Sequence, residues 1–323
     1  VQEINAAGGV LGRPLELMIE DDQTLNPTTV LAFTKLADNK DIVAFLGPTR
    51  STQIQAIAPS VAQAGRPVLI GGTDPSLTKA GNPWFFRFRP NDTYTARAMA
   101  EFGLSKLGKK KWAIVHATDA FGSSAKALFT DALKARGITP VMTEGQPNSS
   151  PDYTAVALAA QQSGADILAT FITFEPDVAI FARQLRQLGV NVVWLGSPSI
   201  TTTTARKLAG PTLYGTYAVA DFHPEANAEA KAFAAKYTAQ FKTAPDFFAS
   251  WPYDAVHVLA RAITAAGGVE PNKIRQALLA TKGYQGVEGT YNFDANGDGL
   301  HGYNIVKNNN GEIAVEQRID FND

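Results

Sequence analysis

Residues 41–78, DIVAFLGPTRSTQIQAIAPSVAQAGRPVLIGGTDPSLT, constrain the fold more than any other stretch of this chain. An apolar run, a small-residue turn, a helix-length segment opened by Ser51 and Thr52, a second apolar run and a turn with Thr73 follow one another closely. Two strands joined through a helix cannot form a hairpin. The crossover makes them parallel neighbours with helices packed on the sheet, so both strands end at one edge. A helix N-terminus at that edge presents N–H groups and the positive end of a dipole. Hydroxyls and amides gathered beside it suit a small anion, above all a carboxylate.

The same alternation extends to both sides. Residues 1–7 read as the end of a helix stopped by Gly8 and Gly9, followed by a strand in PLELMIEDD. Strands are expected at 41–46 and 67–70, with helices at 28–38 and from Ser51. WFFRFRPND then leads into a helix over 93–107, and the chain is expected to cross into a second domain near 91–93. KWAIVHA opens a fresh series, with strands at 112–117, near 140–143, at 166–172, in NVVWLGS and in GTYAVADF. Helices fall at 123–136, 152–163, 176–188 and 204–208, and Gly137, Gly164 and Gly189 close three of them. Three long helices from Ala226, a strand in EGTYNFDANGDG and a hairpin around an Asn-Gly turn complete the chain. The fold class is α/β, with doubly wound parallel sheets.

At 323 residues, 45% hydrophobic and 18% charged, the chain is long enough for two cores. Its 29 basic and 30 acidic residues leave a net charge of -1 and no electrostatic case for binding nucleic acid or an anionic membrane. With no cysteine, disulfide frameworks, thiolate zinc sites and thiol catalysis are excluded. No apolar run approaches the roughly 20 residues of a spanning helix.

Catalytic and cofactor motifs are equally scarce. GPTRST after the 41–46 strand is no phosphate loop, and no GxSxG elbow or GxGxxG fingerprint occurs. The four histidines lack metal-ligand spacing. DANGDG resembles the first half of a calcium loop, but Ile305 stands where the twelfth-position Glu would be, so an Asx turn is the expected reading. No enzyme, cofactor or metal is expected. Aromatic residues do gather after strands, and Phe121 and Phe174 fall at the carboxyl edge of the second series, where open α/β sheets bind ligands.

In order, INAAGGVLGRPLELMIEDD, DIVAFLGPTRST, RPVLIGGTDPSLT, FFRFRPND, KWAIVHATDAFG and WPYDAVHVLARAITAAGG resemble the type I periplasmic binding proteins of the branched-chain amino acid ABC transporter class. The resemblance covers the whole chain. It implies two α/β lobes joined by three hinge crossings that close on a small ligand. The first lobe would comprise residues 1–92 and 222–302, the second 93–221 and 303–323. By this resemblance the hydroxyls of Ser51 and Thr73 grip the ligand carboxylate, with Thr52 able to share the first role and Gly72 part of the same turn. The Gly71 carbonyl accepts from the ligand ammonium, Phe121 packs on the ligand, and Phe174 matches another cleft aromatic. A small carboxylate ligand, a membrane ABC permease, a monomeric state and a periplasmic or membrane-anchored extracellular location follow from the same likeness.

Two departures stand out. Leucine-type members place a Glu where this chain has Pro198, in LGSPSI. A cation without a counter-charge in a closed site costs several kcal/mol. Asp119, Glu175 or Asp254 would then supply the charge, or the rings of Phe121, Phe174 and Trp251 would face the cation. The alternative is a ligand other than an ordinary α-amino acid: an ω-amino acid of the 4-aminobutyrate kind, or an aromatic or keto acid. Family members also open with a strand and a Gly-rich loop ahead of INAAGG. The first lobe is therefore expected to lack its N-terminal strand, with two unpaired edges in its sheet.

Overall fold

A computed structural model describes residues 1–321. In chain order its first elements are α1 (Gln2–Ala6), α2 (Asn26–Asp38), β1 (Phe45–Leu46), α3 (Ser51–Ala64), β2 (Val68–Ile70), α4 (Ser76–Lys79), β3 (Phe85–Arg87) and α5 (Asp92–Ser105). There follow β4 (Trp112–Ala117), α6 (Ala120–Lys134), β5 (Met142–Gln146), α7 (Thr154–Gln162), β6 (Ile167–Phe171), α8 (Glu175–Gln187), β7 (Val193–Gly196), α9 (Thr203–Ala209) and β8 (Tyr217–Ala220). The last are α10 (Ala228–Phe241), α11 (Phe247–Ala266), α12 (Pro271–Leu279), β9 (Tyr284–Gln285), β10 (Thr290–Tyr291), β11 (Gly302–Asn309) and β12 (Glu312–Asp320). Two compact units divide the chain: Val1–Asn91 with Phe248–Leu300, and Asp92–Phe247 with the segment from His301 onward.

The second unit is built on a seven-stranded sheet of order β12-β11-β8-β7-β6-β4-β5. Neighbours from β8 to β5 are parallel, while β11 runs antiparallel to both β8 and β12. Side chains of a strand alternate between faces, and here both faces are buried. Trp112 and Ile114 of β4 pack with Phe102 of α5 and with Phe129 and Leu133 of α6. Ala113 and Val115 face the other way, into a core with Val156 of α7, Phe181 and Leu185 of α8, and Ala205 of α9. Helices therefore cover both faces, as in a doubly wound sheet.

In the first unit β1, β2 and β3 form a parallel sheet in that order. Phe33 of α2 and Ile54, Ile57 and Val61 of α3 cover Phe45, Val68, Ile70 and Phe85. Alternation along β3 sends Phe86 and Phe88 to the opposite face, where their rings lie 6.0 Å and 5.1 Å from that of Phe293. Arg87, the last residue of β3, points to the Phe85 side, and Arg89 follows in a bend beyond the strand.

Several sequence expectations change. PLELMIEDD is irregular rather than a strand: Leu17 and Ile19 are 54% and 78% exposed, and the segment is tied down by Asn5, which bonds the N–H and C=O of Leu15 at 2.7 Å and 2.9 Å. A strand exists by pairing, and no described residue pairs with this one. The strand expected in EGTYNFDANGDG is only β10, joined to β9. The remainder is a turn in which Asp294 Oδ1 accepts from the N–H groups of Asn296 and Asp298 at 2.8 Å and 2.9 Å. Of the three helices after Ala226, α12 has only 9 residues. Residues 222–247, expected with the first lobe, sit in the second unit. There Phe222 packs edge-on to Phe233 at 5.7 Å, and Asp246 accepts from Thr203 N–H at 2.9 Å.

Candidate functional site

Because β1, β2 and β3 are parallel neighbours, the segments that leave their carboxyl ends lie side by side. After β1 the chain turns through Gly47, whose φ of 103° lies in the region open to glycine, and enters α3 at Ser51. Gly47 N–H donates to Leu69 O at 2.8 Å and Gly71 N–H to Pro48 O at 3.2 Å, lacing this turn to the end of β2. Glycine is required twice at that end. A Cβ on Gly71 would lie 2.7 Å from the Trp251 ring, and one on Gly72 would meet Ile54 at 2.5 Å and the Ser51 backbone at 3.2 Å. The close approach brings Gly71, Gly72 and Thr73 onto the N-terminus of α3, where Ser51 is 2% and Thr73 4% exposed and Thr52 is half-buried. Ser51 Oγ accepts from the Asp74 N–H at 3.2 Å.

Donors predominate here. No side chain caps α3, so its first N–H groups remain at the edge. Trp251, on α11 and 2% exposed, lies against Gly71, and its buried Nε1–H has no hydrogen-bond partner. The acceptors of the turn are engaged by two arginines. Arg89 Nη1 donates to Gly71 O at 3.0 Å, and Arg87 Nη1 donates to Gly72 O at 2.7 Å and Asp74 O at 2.8 Å. The Asp74 carboxylate accepts from Gln55 Nε2 at 3.0 Å and from Ser76 N–H at 2.9 Å.

Arg87 is anchored by a buried ion pair with Asp298, Nε to Oδ1 2.8 Å, to which Thr78 and Asn91 add hydrogen bonds of 2.9 Å each. Burial alone would raise the Asp298 pKa. The Arg87 charge and the hydrogen bonds from Arg87, Asn91 and Thr78 outweigh it and hold the carboxyl below its ordinary range.

The second unit gathers its candidates in the same way. β7, β6 and β4 are parallel neighbours, so Pro198, Phe174, and Asp119 with Phe121 leave one carboxyl edge. Asp119 caps α6, its Oδ1 accepting from Gly122 N–H at 2.9 Å, while Oδ2 accepts from Asn148 Nδ2 at 2.8 Å and Thr173 Oγ1 at 2.7 Å. Its oxygens hold three loops together. Phe121 is half-buried against the core on the α5–α6 face, Phe174 is half-buried at the start of α8, and Pro198 is buried in the 3-10 turn Pro198–Thr201. Glu175 is buried in the first turn of α8. Asp254, in the first unit, is likewise committed: it accepts from the N–H groups of Val287 and Glu288 at 2.9 Å and 3.1 Å and from the Tyr291 hydroxyl at 3.0 Å.

A protein family described as periplasmic binding protein matches residues 1–312. The chain belongs to that family. Among its relatives, the Leu/Ile/Val-binding protein BraC3 of Rhizobium johnstonii is 29% identical over 84% of this chain and 73% of its own. A leucine binding protein, LivK, from Thermotoga maritima superposes with a TM-score of 0.92 at 24% identity, over 98% of this chain and 91% of that one. A solute binding protein of an ABC transporter from Rhodopseudomonas palustris, in complex with 3,4-dihydroxy benzoic acid, gives a TM-score of 0.89 at 21% identity, over 98% and 90%. The fold is that of type I periplasmic binding proteins.

Arg89 is the residue that reading motifs missed. The signal was present in FFRFRPND, where two arginines alternate with phenylalanines. Arg87 ends β3 and Arg89 lies in the bend after it; both are buried, and a buried charge must be taken up by built partners.

Proposed function

We propose that this chain is the solute-binding component of an ABC importer, outside the cytoplasm, that captures a small carboxylate-bearing metabolite and presents it to a membrane permease. The ligand carboxylate is received by the Ser51 and Thr73 hydroxyls and the first N–H groups of α3, with Thr52 and Gly72 completing that turn. Phe121, Phe174 and Pro198 shape the part of the site contributed by the second unit, and the units close over the ligand by bending where the chain crosses between them. The observation that carries this reading is the donor-rich edge beside β2: an uncapped α3, buried Ser51 and Thr73, and the Trp251 Nε1–H without an acceptor. Leucine and 3,4-dihydroxybenzoic acid, named for proteins similar to this one, share the carboxylate and little else. No step of chemistry is needed, and capture rather than turnover is the function.

A thermal-shift screen of amino acids, ω-amino acids, 2-oxo acids and benzoates tests the proposal. A ligand at 100 times its Kd adds about 2.7 kcal/mol of stability, a shift of several degrees. Stabilisation by at least one carboxylate is expected; no shift with any would contradict the reading.

A further inference from the structure

We infer that the first unit carries a second binding site, at the amino end of its sheet, for a small multivalent oxyanion of the phosphate or sulfate kind. A cavity of about 190 Å³ opens where β3 begins. It is lined by Phe85 and Phe86 of the strand, by Lys79 and Asn82 ahead of it, by Arg275 of α12 and by the turn through Gly297. Because β1, β2 and β3 are parallel, this edge is opposite to the carboxyl ends where Ser51 and Thr73 lie. The inference therefore stands apart from the carboxylate reading above.

Charge selects the kind of ligand. Among the described residues, no Asp or Glu lines the cavity, and neither Lys79 nor Arg275 is in an ion pair. Arg275 Nε donates to Pro83 O at 3.0 Å, which fixes the guanidinium and leaves its two Nη groups to donate. Asn82 is committed to its own surroundings: Nδ2 donates to Ala58 O at 3.1 Å and Oδ1 accepts from Trp84 N–H at 3.2 Å. Asp294, the acid of the adjoining turn, directs Oδ1 to the N–H groups of Asn296 and Asp298 and Oδ2 to Asn296 Nδ2 at 3.3 Å. Lys282 Nζ donates to the Phe293 carbonyl at the start of that turn, and Asp298 is paired with Arg87. The excess charge at the cavity is positive, and a guanidinium fork beside an ammonium suits an oxyanion that accepts from both.

Shape selects the size. Arg87 N–H donates to Gly297 O at 2.8 Å, and a Cβ on Gly297, whose φ is 91°, would fall 2.5 Å from Phe85 O, so this wall lies directly on β3. Metabolite-sized ligands occupy pockets of about 300–1,000 Å³, whereas about 190 Å³ holds an inorganic oxyanion with a few waters.

Titration of the full chain with sodium phosphate, at an ionic strength held constant with sodium chloride, tests the inference by equilibrium dialysis and by melting temperature. Saturable binding of about one phosphate per chain is expected, with a rise in melting temperature that chloride does not give. Arg275→Gln and Lys79→Gln should each raise the Kd for phosphate about ten-fold, and Arg275→Lys should raise it less, because it keeps the charge without the fork. Non-saturable binding, or equal effects of phosphate and chloride, overturns the inference. So does a folded Lys79→Gln/Arg275→Gln protein with the wild-type Kd. Loss of phosphate binding in Ser51→Ala, with retention in that double variant, would place the ion at the α3 edge and overturn it too. Lys79 is exposed, so should the Arg275 variants not fold, Lys79→Gln alone decides.

Discussion

Arg87 ends β3, Arg89 lies in the bend two residues on, and both donate to carbonyls of the turn after β2. Arg87 is fully buried and tied to Asp298, so the pair fastens the turn after β2 to the segment after β10. Removing one partner of such a pair leaves a buried charge uncompensated, which costs about 3–5 kcal/mol. Asp298→Ala is accordingly expected to lower the unfolding free energy, read from denaturant titration, by that much; a loss under about 1 kcal/mol, the value of an exposed pair, would mean the pair is not the anchor described here. The sign of the pH effect follows from the depressed Asp298 pKa. Its stabilisation is fully present above the ordinary carboxylate value of about 3.9 and is lost as pH falls from there through the lower folded value. Asp298→Asn should therefore remove part of the acid-limb slope below about pH 4, and identical slopes for variant and wild type would contradict this assignment.

At the scale of elements, the two carboxyl edges were legible because strand, turn and helix alternate at spacings that leave few topologies. The sequence alone places Ser51 and Thr73 at one edge, since parallel strands joined by one helix end together, and β1 and β2 do pair in parallel. What was illegible depended on partners distant in sequence. Residues 14–22 have the composition of a strand but no ladder to join. Asp119 was one of three candidates to supply a counter-charge, yet beyond its cap on Gly122 its other oxygen is taken by Asn148 and Thr173, donors 29 and 54 residues away in sequence. The β4–α6 turn it caps is also sterically fixed, because a Cβ on Gly122 would fall 2.2 Å from Ala117 O. Gly122→Ala must push backbone against backbone, and a destabilisation of about 1–3 kcal/mol is expected in equilibrium unfolding. A neutral substitution would show that the turn can open without cost.

Across the whole molecule, a formal charge of -1 and the division into two compact units joined at three chain crossings describe a protein whose recognition is local. The proposed carboxylate capture is accordingly placed at the α3 edge rather than in a general surface field. Among the described residues no helix is long and apolar enough to cross a membrane, and no group of side chains is arranged to hold a metal ion. Under the proposed function the protein acts through its affinity for one small molecule, and that proposal stands or falls on the hydroxyl of Thr73, just after β2. Calorimetric titration of wild type and Thr73→Val with the carboxylate that stabilises the protein most tests it directly. Losing a hydrogen bond to a charged group costs about 1.5–3 kcal/mol, so Kd is expected to rise roughly 10- to 150-fold. An unchanged Kd in a folded Thr73→Val protein would contradict the proposed site.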